Sequence, residues 1–305
     1  MFSYKLKKLF KYRVLLFIII INILFTNNDY LLKLKVCVCS IGKNENKYAR
    51  EFVEHYKKYG VDKIFIYDNN DINGENFEYI LNDYIQSRFI KIINIRGKQK
   101  MQYQAHNHCY RKNKQKYNWF IFYDMDEFIH LSNFKNIKYY LIDNCFKECN
   151  IVYLNQVLHT DNEQIYYCNK SLFERFPNST LNFNRKMGIT KMIIRGNLNN
   201  IIINNPHLIN NDHQCNSEGK TIKEYNYSNF NDFYNKNYYY DHFYFKSSEE
   251  YLDKLKRGDA VNGKRKNFVV KTFSLYFSVN KITEAKLDYF EKRTGINLTV
   301  YRNKL

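Results

Sequence analysis

The chain has 305 residues, a formal net charge of +18, 18% aromatic residues and two prolines. That length holds one large domain or two small ones, and so aromatic a composition excludes a disordered polymer. The basic balance suits anionic partners such as phosphates or a membrane surface; no basic run interleaved with aromatics and no zinc-finger spacing marks a nucleic-acid binder, so nucleic acid is not an expected partner.

Lys5, Lys7, Lys8, Lys11 and Arg13 precede an apolar run from Val14 to Phe25. The run is shorter than the ~20 residues of an ordinary spanning helix, and its length also fits a signal-peptide core. No small-residue cleavage site follows it. The expected organisation is therefore a basic cytoplasmic tail (1–13), a signal-anchor helix (14–25), a short stem (26–35) and a folded domain (36–305) across the membrane. This is a single-pass type II arrangement, in the Golgi or secretory pathway if the source is eukaryotic; a cleaved signal and a helix lying on the bilayer are the alternatives. Sequons at Asn169, Asn178, Asn226 and Asn297 would be usable in a secretory lumen. The seven cysteines are odd in number and unpatterned. Cys37 and Cys39 read as buried small hydrophobes, and Cys145 and Cys149 as free thiols or a pair.

From Val36 strands and helices alternate, the sign of a mainly parallel sheet flanked by helices. Val36 to Ser40 reads as a buried strand. Asn44 is a candidate cap for a helix whose apolar face is Ala49, Phe52, Val53 and Tyr56, closed by Gly60. Lys63 to Tyr67 is a second strand ending in Asp68-Asn69, and Phe89 to Ile95 a third, after a helix from Glu75 to Gln86. A helix from Gln102 to Lys116 leads into the stretch Trp119 to Phe128, whose apolar and aromatic run is expected as a buried central strand that stops abruptly at three carboxylates. Asp124 and Asp126 lie two apart in it, a spacing that in extended chain puts both carboxylates on one face. Two acids held so close call for a cation, and hard oxygen ligands suit Mg2+ or Mn2+. A strand followed by an acidic helix cap is the plainer alternative.

In open sheets ligands bind beyond the carboxyl ends of the strands. Lys43, Asn44 and Glu45 follow the first strand, Asp68 and Asn69 the second, and the two acids the fourth. Asp68 is suited to ribose hydroxyls, with an Asx turn as its alternative.

Lys43-Asn44-Glu45, the Glu51 to His55 helix, Gly60 to Asn69 and Trp119 to Phe128 together resemble glycosyltransferase family 92 and related family 2 enzymes. Lys191 to Arg195, Pro206-His207 and His242 to Gly258 follow in the order that resemblance predicts. It implies the GT-A fold, a Rossmann-like α/β architecture, with an Asp-x-Asp metal motif and a pocket for a nucleotide-diphosphate sugar. It further implies Mn2+ or Mg2+ on Asp124 and Asp126, a late histidine, His242 or else His207, as third ligand, with a hydrogen-bonded core role as the alternative for either, inversion at the anomeric carbon, a UDP-sugar with galactose favoured, and a glycan acceptor. Lys191 and Arg195, four apart on extended chain, are expected to share a strand face and neutralise the diphosphate, with a plain solvated strand face as the alternative. Glu174, then Asp161, are the candidate general bases. A metal-dependent phosphodiesterase or nuclease, and a non-catalytic membrane-tethered glycan-binding module, stand as alternatives. Ser247 to Glu250 forms a capping box for a helix reaching Gly258, and Ile282 to Arg293 a last helix closed by Gly295.

Overall fold

The computed structural model describes residues 33–181, 189–209, 212–222, 232–258, 261 and 268–305. The expected tail and anchor, most of the stem and the Asn226 sequon lie outside these residues. Among the described residues no helix is long and apolar enough to cross a membrane.

Among the described residues nine strands form one sheet: β1 (Val36–Gly42), β2 (Lys63–Asp68), β3 (Ile90–Asn94), β4 (Trp119–Phe122), β5 (Glu127–Leu131), β6 (Ile151–Leu158), β7 (Thr190–Arg195), β8 (Gln214–Asn216) and β9 (Tyr238–His242). The helices are α1 (Asn46–Lys58), α2 (Phe77–Ile80), α3 (Asn82–Gln86), α4 (Gln102–Asn113), α5 (Ile137–Leu141), α6 (Leu172–Arg175), α7 (Ser248–Arg257), α8 (Ser274–Val279), α9 (Glu284–Thr294) and α10 (Thr299–Arg302). Strand order is β3-β2-β1-β4-β7-β6-β9-β5, with β8 on β6.

The amino-terminal half of the sheet is parallel throughout. From β4 onward it is mixed: β7 is antiparallel to both β4 and β6, and β5 to β9, while β9 runs parallel to β6. The fold is thus a mixed α/β sheet with helices on both faces, and the mainly parallel expectation holds for its first four strands. Alternation along the strands divides the core. Val36, Val38, Ile64, Ile66 and Ile121 pack with Phe52, Val53 and Tyr56 of α1. Cys39, Phe65, Phe120 and Phe122 pack with Ala105, Cys109 and Tyr110 of α4 on the other face. A third cluster joins Leu158 and Phe245 to α7, α8 and α9 through Tyr251, Tyr276, Leu287 and Phe290.

Several boundaries differ from expectation. Trp119 to Phe128 is two strands separated by a turn. The Glu75 to Gln86 helix is two short ones, and α1 begins after Glu45 while Asn44 adopts φ 54°. The late elements match closely: Ser247 and Glu250 close the capping box of α7, and Gly295 ends α9 in the left-handed region at φ 71°.

The cysteines depart most from expectation. Cys39 bonds to Cys109, fastening β1 to α4, and Cys149 bonds to Cys215, fastening the start of β6 to β8. Sequence spacing carries no trace of either pairing, because the partners meet only through the sheet order, 70 and 66 residues apart. Cys37 remains a buried thiol; Cys145 and Cys168 are exposed. Cross-links closing loops this long stabilise a fold by about 2–4 kcal/mol. Cys149→Ser is accordingly expected to lower unfolding free energy by about that amount in denaturant titration, whereas Cys168→Ser leaves it unchanged.

Candidate active site

The turn between β4 and β5 closes on itself. The Asp124 N–H donates to Glu127 Oε2 at 2.9 Å, and the Glu127 N–H donates to the Asp124 carbonyl at 3.1 Å. Met125, buried between the two acids, packs against the end of β1, where a Cβ on Gly42 would lie 2.7 Å from Met125 Sδ. The acids are therefore presented by a locked turn at the end of the sheet rather than by a continuous strand.

Each carboxylate of the turn meets a lysine. Lys191 Nζ, on β7, lies 2.8 Å from Asp124 Oδ2 and 2.9 Å from Glu127 Oε2. Gln102 Nε2, from the first turn of α4, donates to Asp124 Oδ1 at 3.1 Å. Asp126 Oδ2 accepts from Lys254 Nζ of α7 at 2.7 Å, with Lys246 Nζ at 3.8 Å. Glu45 binds Lys246 at 3.3 Å and Arg257 at 2.6 Å. Burial pushes Asp126 up, but Lys254 and then Lys246 outweigh it and hold the carboxyl well below its ordinary range. Burial likewise raises Glu127, and there it prevails. Asp124 is held below its usual value because Lys191 overcomes the desolvation.

His242 closes the group. Its Nδ1 lies 2.7 Å from Gln156 Oε1, so Nδ1 carries the proton and Nε2 keeps a lone pair, 3.6 Å from Asp126 Oδ1. Neighbouring ligands on an ion with ~2.1 Å bonds sit about 3 Å apart. Asp126 Oδ1 and His242 Nε2 thus fit as two adjacent donors to Mg2+ or Mn2+. Asp124 is held by Lys191 and Gln102, and among the described residues no three His, Cys, Asp or Glu side chains gather around one point.

These side chains open onto a cavity of about 460 Å³, within the ~300–1,000 Å³ usual for small-molecule sites. Gly42, Lys43 and Asn69 from the parallel half line it, facing His207, Tyr244 and Lys254 from the mixed half. A second cavity of about 600 Å³ shares the walls Lys43, Glu45, Lys254 and Arg257.

Residues 33–262 match the family model described as glycosyltransferase family 92. The chain belongs to glycosyltransferase family 92. A family 92 protein of Oryza sativa subsp. japonica is 33% identical over 95 residues, covering 31% of this chain and 16% of the relative. One from Arabidopsis thaliana is 33% identical over 99 residues, 32% of this chain and 16% of the relative. This family 92 chain is thus matched to about a sixth of the length of those curated relatives. Among solved structures, S. aureus TarS in complex with UDP-GlcNAc aligns at a TM-score of 0.33 and 14% identity, over 46% of this chain and 38% of that one.

The cavity gathers some expected residues and leaves others elsewhere. Lys43, Glu45, Asn69, Asp124, Asp126 and His242 line the cavity, and Lys191 reaches two of the acids. Asn44 lines only the second cavity, its N–H donating to Asn70 Oδ1. Asp68 is withdrawn: it accepts from Arg96 at 3.1 Å and from Asn70, the Asx-turn alternative. Arg195 shares a strand with Lys191, but four residues of extended chain span ~13 Å. It lies at the opposite end of β7, on Trp119, donating to the Cys149 and Phe146 carbonyls. Neither candidate base lines the cavity. Glu174 is exposed and caps α6 with Ser171. Asp161 is buried against Lys286 and Tyr276 at the carboxyl-terminal cluster.

Lys246, Lys254, Arg257, Gln102 and Gln156 were missed as site residues. The spacing of Lys254 and Arg257, one helical turn apart on a capped helix, is the signal that could have found them. A basic helix end reads first as solvated surface, and only the tertiary fold turns it inward.

His55, His106 and His207 are each pushed down to about 4, chiefly by burial. Unfolded rings take up protons near ~6.5, so lower pH favours the unfolded chain. Stability is therefore expected to be level in pH above about 6.5 and to fall toward about 4. Both ring nitrogens of fully buried His106 lack a hydrogen-bond partner among the described residues. His106→Leu should flatten the slope and add about 1–3 kcal/mol at acid pH, measured by denaturation at several pH values.

Proposed function

We propose that this chain is a GT-A-type, metal-dependent inverting glycosyltransferase. It would move a hexose from a nucleotide-diphosphate sugar to a glycan hydroxyl, with UDP and galactose favoured by the family resemblance. The observation carrying this reading is the Asp126 carboxylate, set at the sheet end between Lys254, Lys246 and His242 and facing a cavity. Family membership supports transfer; this arrangement supports a diphosphate donor. Cleaving an anomeric carbon–phosphate oxygen bond leaves negative charge on the diphosphate, and preorganised cations stabilise it best where water is scarce.

Lys254 is well suited to this work. It is held over the Tyr244 ring at 3.8 Å and anchored on Asp126, so its charge is fixed in direction before any donor arrives. Lys43 and Arg257 supply further positive charge on the cavity wall. Asp126 and His242 would hold Mn2+ or Mg2+, which when bound supplies Lewis-acid stabilisation of the diphosphate. With two protein donors the remaining positions fall to water and donor phosphate oxygens, so metal affinity should rise with nucleotide bound. Glu127 and Lys191 keep the turn shaped, and Gln156 fixes the tautomer of His242.

We further place the chain in a secretory lumen, tethered by 14–25. The two disulfides suit an oxidising compartment, and Asn169, Asn178 and Asn297 are exposed.

The test is a glycan acceptor array incubated with several UDP-sugars and Mn2+. Transfer by the unmodified chain is expected, together with a loss of about 10²-fold or more in kcat for Asp126→Asn. Unchanged transfer by that variant at limiting metal, or cleavage of RNA or DNA instead of donor, would refute the reading.

A further inference from the structure

A glycosyl transfer needs a group to receive the acceptor proton, and the carboxylates lining the cavity are engaged. Glu45 holds Arg257 and Lys246, Asp124 holds Lys191 and Gln102, Asp126 holds Lys254, and Glu127 holds Lys191. His242 Nε2 faces Asp126.

His207 stands apart from these. Its Nδ1 donates to the Thr190 carbonyl at 2.8 Å, and the Thr190 hydroxyl donates back to the His207 carbonyl at 3.1 Å. The double contact sets both backbone and ring, and it fixes the tautomer with Nε2 as the acceptor nitrogen. Nε2 has no hydrogen-bond partner among the described residues, and the ring lines the cavity. We propose that His207 Nε2 is the general base that deprotonates the acceptor hydroxyl, an inference that rests on the transferase reading above. As the acceptor oxygen bonds to the anomeric carbon, its proton passes to Nε2. The bond from anomeric carbon to phosphate oxygen breaks, its electron pair leaves with the diphosphate, and the imidazolium later releases the proton to water. The Nδ1–H keeps its bond to Thr190 throughout, which steadies the ring in both charge states.

Burial first, and Lys191 second, push His207 down to about 4, so the ring is neutral near pH 7 and its lone pair is available. Asp124 acts in the opposite direction, and the negative diphosphate of a bound donor adds to it, raising the basicity of Nε2 when the donor is in place.

His207→Asn isolates the claim, because its amide can still donate to the Thr190 carbonyl while Nε2 is gone. His207→Ala opens space for a free imidazole. Both variants of the full chain are assayed with the donor and acceptor that the array yields, alongside UDP binding by calorimetry and thermal melting. The expected result is a kcat reduced about 10²- to 10⁴-fold in His207→Asn, with UDP affinity and melting unchanged, and partial recovery of His207→Ala by added imidazole. Turnover of His207→Asn within about threefold of wild type, a range well short of general-base loss, overturns the inference. So does a loss of UDP binding that accounts for the whole effect. Absence of transfer by the unmodified chain overturns the transferase reading itself, a failure seen before any variant is made.

Discussion

Four acidic side chains crowd one end of the sheet, and the rest of the site depends on how their charge is balanced. Glu45, Asp126 and Glu127 are almost fully buried, and Asp124 is 31% exposed at its side chain. Unpaired carboxylates in such a place would neutralise themselves by taking up protons or would loosen the fold. The chain answers with cations from two distant segments, Lys191 on β7 and the trio Lys246, Lys254 and Arg257 in and before α7. Glu45 and Asp124 follow strands of the parallel half, Asp126 and Glu127 lead into β5, and the lysines and arginine come from later segments of the chain. Earlier and later segments complete each other electrostatically.

This division explains which features sequence made legible. Asp124 and Asp126 stood out because an apolar run ending in acids is costly without a site, and the flanking strands and α1 followed from periodicity. The caps of α7 and α9 were equally plain, since Ser247, Glu250 and Gly295 act through local backbone geometry. What escaped was every property set by long-range pairing. Lys191 and Arg195 look equivalent on one strand, yet only the end that meets the turn reaches its acids, and strand direction decides which end that is. Glu174 is a carboxylate in a promising region that spends itself on the cap of α6. The Cys39–Cys109 and Cys149–Cys215 bonds depend on which strands become neighbours, information absent from local pattern.

The split of the central strand follows from the same chemistry. A continuous ribbon from Trp119 to Phe128 would have carried Glu127 along with its neighbours. Instead Glu127 bends back to cap the Asp124 amide, and the strand that resumes after the bend pairs with β9, not with β1 or β7. That partner brings His242 opposite Glu127 in register and so beside Asp126. A single side chain-to-amide contact thereby couples sheet topology to the composition of the site.

Asp161, though remote from the cavity, bears on where this fold ends. Its carboxylate is neutralised by Lys286 of α9 and approached by Tyr276 of α8, both beyond residue 262 where the family match stops. Trimming the protein at that homology limit would strand a buried anion and bare the aromatic cluster of Tyr251 and Phe245. The smallest unit able to fold by itself therefore extends past the smallest unit recognisable by kinship.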